Sequence, residues 1–168
     1  AQKRLDWLQH LGGGSIEIIA LRRGDVCHSV SLNYGHLSSA TASEIGSALA
    51  EHSWIRDFGA KQLFGVGGSF RTIGSAFISR TGYPLHVLHG LKIKRKDVLA
   101  ICRDLTSDEP SLVGVPPSRV ATIPVAAMII QELIKFSSVY RLTISGTSVR
   151  DGVIAINELN ANQQADFL

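Results

Sequence analysis

The chain has 168 residues, 45% of them apolar and 18% charged, with a formal net charge of +3. That is enough sequence for one domain with a sizeable core, and it excludes a disordered or solvating chain. The charge is too mild for a DNA-binding stripe, and the longest apolar run, 123–130, is too short to span a bilayer. No DNA and no membrane are therefore expected as partners. No apolar leader follows the basic start, and Cys27 and Cys102 stand apart without metal-ligand company, so a cytoplasmic location with reduced thiols is expected.

In chain order, residues 5–8 read as a strand leading into Gly12-Gly13-Gly14-Ser15. Residues 15–22 are isoleucine-rich and end at the turn Arg23-Gly24-Asp25; residues 26–32 alternate as a half-buried strand should. From Ser39 the period changes: Ile45, Ala48, Leu49 and His52 recur at three and four, with Thr41 or Ser43 as cap and Trp54 and Phe58 closing the apolar face. Residues 61–70 give a short strand, Gly67-Gly68, and then a helix that Gly82 stops. Pro84 argues against a central strand in 83–90. The basic run 92–97 reads as the solvated start of a helix through Val98, Ile101, Cys102 and Leu105. After a proline-containing loop comes a strongly apolar helix, with Ser118 as a possible cap and Pro124 as the favoured start, and then a last strand over 139–146. Antiparallel strands followed by alternating strands and helices match half of an actin-like, ribonuclease H-like architecture.

Three places put glycine directly after a strand: 12–15, 65–69 and 145–148. Glycine amides can close on an anion, and a following helix adds its free N–H groups and partial positive charge. Each loop taken singly is equally a plain turn. Neither G-x-x-x-x-G-K-[ST] nor G-x-G-x-x-G is present. Arg71, one turn into the helix after Gly67-Gly68-Ser69, reads as a fork over phosphate oxygens or as a solvated arginine. Glu17 shares a strand face with Ser15 and reads as a carboxylate for a metal or a water, or as an edge-strand acid. His86 and His89 lack a third ligand, and His10 reads as packed. Arg150, before Asp151-Gly152, is a salt-bridge partner or a substrate-side cation.

The segments LGGGSIEII, GVGGSFRTIG, TGYPLHVLHG, PSRVATIPVAAMIIQEL and SGTSVRDGVI, in this order, resemble the exopolyphosphatase/guanosine pentaphosphate phosphatase (Ppx/GppA) family, in its alphaproteobacterial branch. The resemblance covers nearly the whole chain. It implies an α/β, ribonuclease H-like (actin-like ATPase) domain with a mixed five-stranded sheet and helices on its faces. Residues 1–168 would be a single domain resembling domain II of a Ppx/GppA phosphatase. It further implies a hydrolase that releases terminal phosphate from inorganic polyphosphate or guanosine pentaphosphate with Mg2+. Residue by residue, Gly12, Gly13, Gly14 and Ser15 match one phosphate-binding loop and Glu17 the acid that serves the metal or the attacking water. Gly67, Gly68, Ser69 and Arg71 match a second loop, and Arg150 the closing arginine. The metal ligands are otherwise unassigned.

Two positions depart from the family pattern: His10 stands where aspartate is usual, and Val125 where glycine is common. Histidine is a poor magnesium ligand. The family's first half, with its D-x-G-S-N-S loop and catalytic base, does not occur in this sequence. The missing N-terminal half is therefore an implied partner, a homodimer is possible, and the chain alone is expected to hydrolyse little. The alternative is a degenerate module that binds polyphosphate or an alarmone without cleaving it.

Overall fold

A computed structural model describes residues 5–147. Strands β1 (Leu5–Leu11), β2 (Ile16–Arg22) and β3 (Asp25–Leu32) form an antiparallel meander. The β2–β3 hairpin closes on Arg23 and Gly24, with φ of 59° and 95°, the positive values that a two-residue hairpin turn demands. The chain then runs through α1 (Ala42–Ala50), α2 (Trp54–Asp57), β4 (Gln62–Val66), α3 (Gly68–Thr81), β5 (Lys92–Lys94), α4 (Arg95–Leu105), a 3-10 turn (Pro117–Arg119), α5 (Ile123–Phe136) and β6 (Arg141–Ile144). The sheet has the order β3-β2-β1-β4-β6-β5, in which β1, β4 and β6 are parallel and β5 is antiparallel to β6.

Strand alternation divides the sheet into two faces. Trp7, Gln9, Leu11, Ile16, Ile18, Ala20, Leu63, Leu142 and Ile144 are buried on one of them. Helices α1, α3, α4 and α5 touch one another and cover that face. Helix α5 is buried around more than one side, through Ile123, Ala126, Ala127, Ile129, Ile130, Leu133 and Ile134, as its apolar sequence demands. At about 1.5–3 kcal/mol for each large aliphatic side chain taken out of water, this layer dominates the stability. The opposite face carries Leu8, His10, Glu17 and Phe64, all half-buried.

Several local expectations are corrected. The sheet has six strands rather than five, because Lys92-Ile93-Lys94 pairs with β6 before the helix begins. The three-residue strand hides in a basic run, with only Ile93 buried. Strand β3 is mostly exposed rather than half-buried, since it is an edge strand; Val26 is 65% exposed. Trp54 and Phe58 do not extend α1; they sit on and after α2 and pack on the Trp7 ring at 5.4 and 5.1 Å. The last strand contracts to Arg141–Ile144.

Capping resolves the two alternatives left by the sequence. Thr41, not Ser43, caps α1 in a capping box: Glu44 N–H donates to Thr41 Oγ1 (3.3 Å), and Thr41 N–H donates to Glu44 Oε2 (2.7 Å). Helix α5 starts beside Pro124, and Ser118 lies in the preceding 3-10 turn.

Candidate phosphate-binding site

Parallel pairing sets the site. β1 and β4 are neighbours in register, with His10 opposite Val66, so the loops that leave them emerge side by side. β6 ends beside Gly65, and Ser145 N–H donates to Gly65 O (2.8 Å), so all three glycine turns gather at the carboxyl ends of three adjacent parallel strands. Open α/β sheets place ligands at this end.

The first loop answers whether its glycines turn the chain or face an anion, and the answer divides residue by residue. Gly12 N–H donates to Ser15 O (3.0 Å) and closes the turn. None of Gly12, Gly13 and Gly14 has a positive φ. Smallness matters here, because Gly35 presses on Gly13 and Gly14 so closely that an added Cβ would overlap their backbone. His36 N–H donates to Gly12 O (3.1 Å) and Leu37 N–H to Gly13 O (2.9 Å), which staples the loop in place. The carbonyls of Gly12 and Gly13 thus face the staple, and the amides of Gly13 and Gly14 donate to no acceptor among the described residues.

The second loop is a helix start. Gly67 has φ 102° and caps α3, a conformation that L side chains rarely adopt. Its carbonyl accepts from Arg71 N–H (3.2 Å), and Gly68 opens the helix, whose first amides have no acceptor within the helix. Ser69 is buried, at 2% exposure, which leaves its amide rather than its hydroxyl to the helix terminus. Arg71 is half-buried in the first turn, with no carboxylate partner among the described residues.

One residue that the sequence reading passed over completes this wall. The Arg119 guanidinium lies directly over Gly68, in the place where a Cβ would be. Its backbone is set by Arg119 N–H donating to Pro116 O (2.8 Å) and by Pro117 at the head of the 3-10 turn. The loop before it is fastened to α3 and α4, which the Arg80–Asp104 ion pair joins (2.8 Å): Arg80 Nε–H donates to Val113 O (3.4 Å) and Ser111 N–H to Asp104 Oδ2 (3.2 Å). Arg119 also acts on His36, whose pKa is lowered by burial first and by the Arg119 charge second, against a backbone hydrogen bond at Gly12 that raises it. His36 Nδ1 is buried with no partner among the described residues.

Between the two loops lies one row across the sheet. Register sets Ser31 of β3 opposite Glu17 of β2, Glu17 opposite His10 of β1, and His10 opposite Val66 of β4. His10 Nδ1–H donates to Glu17 Oε2 (2.8 Å); Ser15 Oγ–H and Ser31 Oγ–H donate to Oε1 (2.5 and 3.3 Å). Burial raises the Glu17 pKa, but the Ser15 and His10 hydrogen bonds, the His10 charge and the Ser31 bond outweigh it, and the carboxyl ends below its ordinary value. The His10 ring spans both glycine turns. A Cβ on Gly12 would meet His10 Cε1 at 3.4 Å, and one on Gly67 would meet Cδ2 at 3.2 Å and Nε2 at 3.4 Å.

These donors do not suit magnesium. Mg2+ takes oxygen ligands in near-octahedral array. Both Glu17 oxygens already accept hydrogen bonds, the neighbouring position is an imidazole, and among the described residues no three His, Cys, Asp or Glu side chains come together.

The remaining candidates lie apart. In the third loop Gly146 N–H donates to His89 Nδ1 (3.1 Å), so that amide is taken. His86 lines a small pocket with Ser75 and Ser79. Arg150 lies outside the described residues. Among the described residues no helix is long and apolar enough to cross a membrane.

The fold and the paired loops define an α/β domain whose glycine turns gather at the ends of adjacent parallel strands. The pattern of the Ppx/GppA phosphatase family matches residues 10–161, and the chain belongs to that family. The exopolyphosphatase of Cytophaga hutchinsonii superposes with a TM-score of 0.75 at 18% identity, over 92% of this chain and 57% of that one. A Ppx/GppA family member from Aquifex aeolicus superposes at 0.74 with 19% identity, over 95% and 58%. The chain thus spans somewhat over half the length of these two structures, and the likeness is one of fold. No curated protein sequence matches the chain.

Proposed function

We propose that this chain is the phosphate-holding part of a phosphoanhydride hydrolase that releases terminal phosphate from inorganic polyphosphate or guanosine pentaphosphate. One observation supports the reading: the His10 ring, bonded to Glu17, lies against both Gly12 and Gly67, and the Arg119 guanidinium lies over Gly68, so a carboxylate, an imidazole, two glycine turns and an arginine follow one another across the strand ends. Phosphoryl transfer to water needs positioning and charge neutralisation above all, and preorganised N–H groups with an arginine supply both. Arg71 extends the cationic wall, and Arg150 is a further substrate-side candidate. A water-activating base would come from a complementary first half of the actin-like core, of which this chain would be the second. We place the protein in the cytoplasm, and a homodimer is compatible with this reading.

The second reading, a module that binds polyphosphate or an alarmone without cleaving it, is favoured by His10 and by the poor fit of the site to magnesium.

Tripolyphosphate and guanosine pentaphosphate titrated into the 15N-labelled chain should move the amide signals of Gly13, Gly14, Gly67 and Gly68 together, and Arg119→Ala should weaken the complex several-fold without changing the fold. Phosphate release should be negligible from the chain alone and appear when the complementary half is added; release that never appears selects the second reading. Amide signals unmoved by either ligand would refute both.

A further inference from the structure

We infer that His10 is itself a ligand of the bound oxyanion and holds it without a divalent metal. The inference rests on the phosphate-holding reading above.

The Nδ1 nitrogen is committed to Glu17 Oε2 at 2.8 Å, so Nε2 is the nitrogen left for a ligand. It faces the Gly67 turn, with its Cε1 edge against Gly12, and so stands at the floor between the two loops. A neutral imidazole held this way would turn a lone pair toward an incoming anion. Ligation of an anion at Nε2 therefore requires the imidazolium, which turns an N–H there while its Nδ1–H stays on Glu17, so binding takes up a proton. Glu17 is held toward the imidazolium by the hydroxyls of Ser15 and Ser31, which donate to its other oxygen. The imidazolium and the Arg119 guanidinium then supply two positive charges, the number a divalent ion would bring. The other ionisable groups around the hollow are His36, next to Gly12 and Arg119, and Arg71 in the first turn of α3.

The test is calorimetric titration of tripolyphosphate into the 168-residue chain, in EDTA and again in excess Mg2+, at pH 5.5 and pH 8. The wild-type chain should bind in EDTA, about tenfold tighter at the lower pH, the factor that one charge-assisted hydrogen bond supplies. His10→Asn keeps an amide donor near Glu17 and removes Nε2. It should lose most of this pH difference, and what remains measures the titration of the polyphosphate itself. His10→Asp restores a carboxylate and should make binding depend on Mg2+. Thermal unfolding of each variant checks that it folds, and the wild-type arms decide the matter without any variant. Wild-type binding seen only with Mg2+, or His10→Asn binding in EDTA with unchanged affinity and pH slope, overturns this inference and leaves the phosphate site standing. No binding by the wild type under either condition removes the site, and this inference with it.

Discussion

Replacing Gly35 by alanine probes the clamp behind the first glycine loop. The new Cβ would overlap the carbonyl group of Gly13 and the nitrogen of Gly14, which are backbone atoms and cannot rotate aside. The loop and the 35–37 segment must separate, and the bonds His36 N–H to Gly12 O (3.1 Å) and Leu37 N–H to Gly13 O (2.9 Å) loosen together. At about 0.5–1.5 kcal/mol for each bond, the loss is about 1–3 kcal/mol. The stiffer unfolded chain of an alanine variant returns about 0.4–1 kcal/mol. The net destabilisation is about 1–2 kcal/mol, and for a chain of this size about 2–4 °C per kcal/mol lowers Tm by about 2–8 °C. Gly46 gives the opposite control: it lies inside α1 with open space where its Cβ would be, so Gly46→Ala should stabilise by about 0.5–1 kcal/mol. Thermal unfolding followed by circular dichroism measures both. A Gly35→Ala chain that melts at or above the wild-type temperature would show that the clamp is not rigid and would refute the reasoning.

Stability should also fall on the acid side. His36 has its folded pKa lowered below 6.5 and Glu17 below 4.5, so in each case the unfolded chain binds the proton first. Their contributions are present above those ordinary values and are lost as pH falls through the lowered ones, His36 first and Glu17 second. Urea unfolding at a series of pH values between 7 and 3 should show both losses, and His36→Ala should remove the earlier one. The two thiols should differ sharply: Cys27 is exposed, whereas burial pushes the Cys102 thiol up to about 12. A chromogenic disulfide reagent should titrate one thiol quickly in the folded chain and the second only after denaturation.

The glycine loops were legible because their chemistry is local: small residues after a strand and before a helix announce a close approach wherever they fall. Their convergence depends on β1 and β4 being parallel neighbours, which periodicity does not encode. Arg119 escaped notice for a related reason. It sits in PSRVATIPVAAMIIQEL, just after two prolines, and only the packing of that loop over α3 brings it to Gly68. The pairing of His10 with Glu17 is set by β1–β2 register, so a histidine that read as packed emerges as a partner in the central row. Strand β5 was hidden by its brevity and its lysines, and β3 by the fact that alternation marks two faces without saying whether a neighbour covers them.

The short connection at residues 12–15 has a second role besides offering amides. Its length determines which β2 side chain stands across from His10. Because strand side chains alternate between faces, a slip of one position would carry Glu17 into the apolar layer and bring an isoleucine out in its stead. Insertions and deletions are therefore barred here even where single substitutions are tolerated. The ionic character of position 10 can change while the frame stays, so the chemistry of this centre is altered by replacing side chains rather than by moving strands.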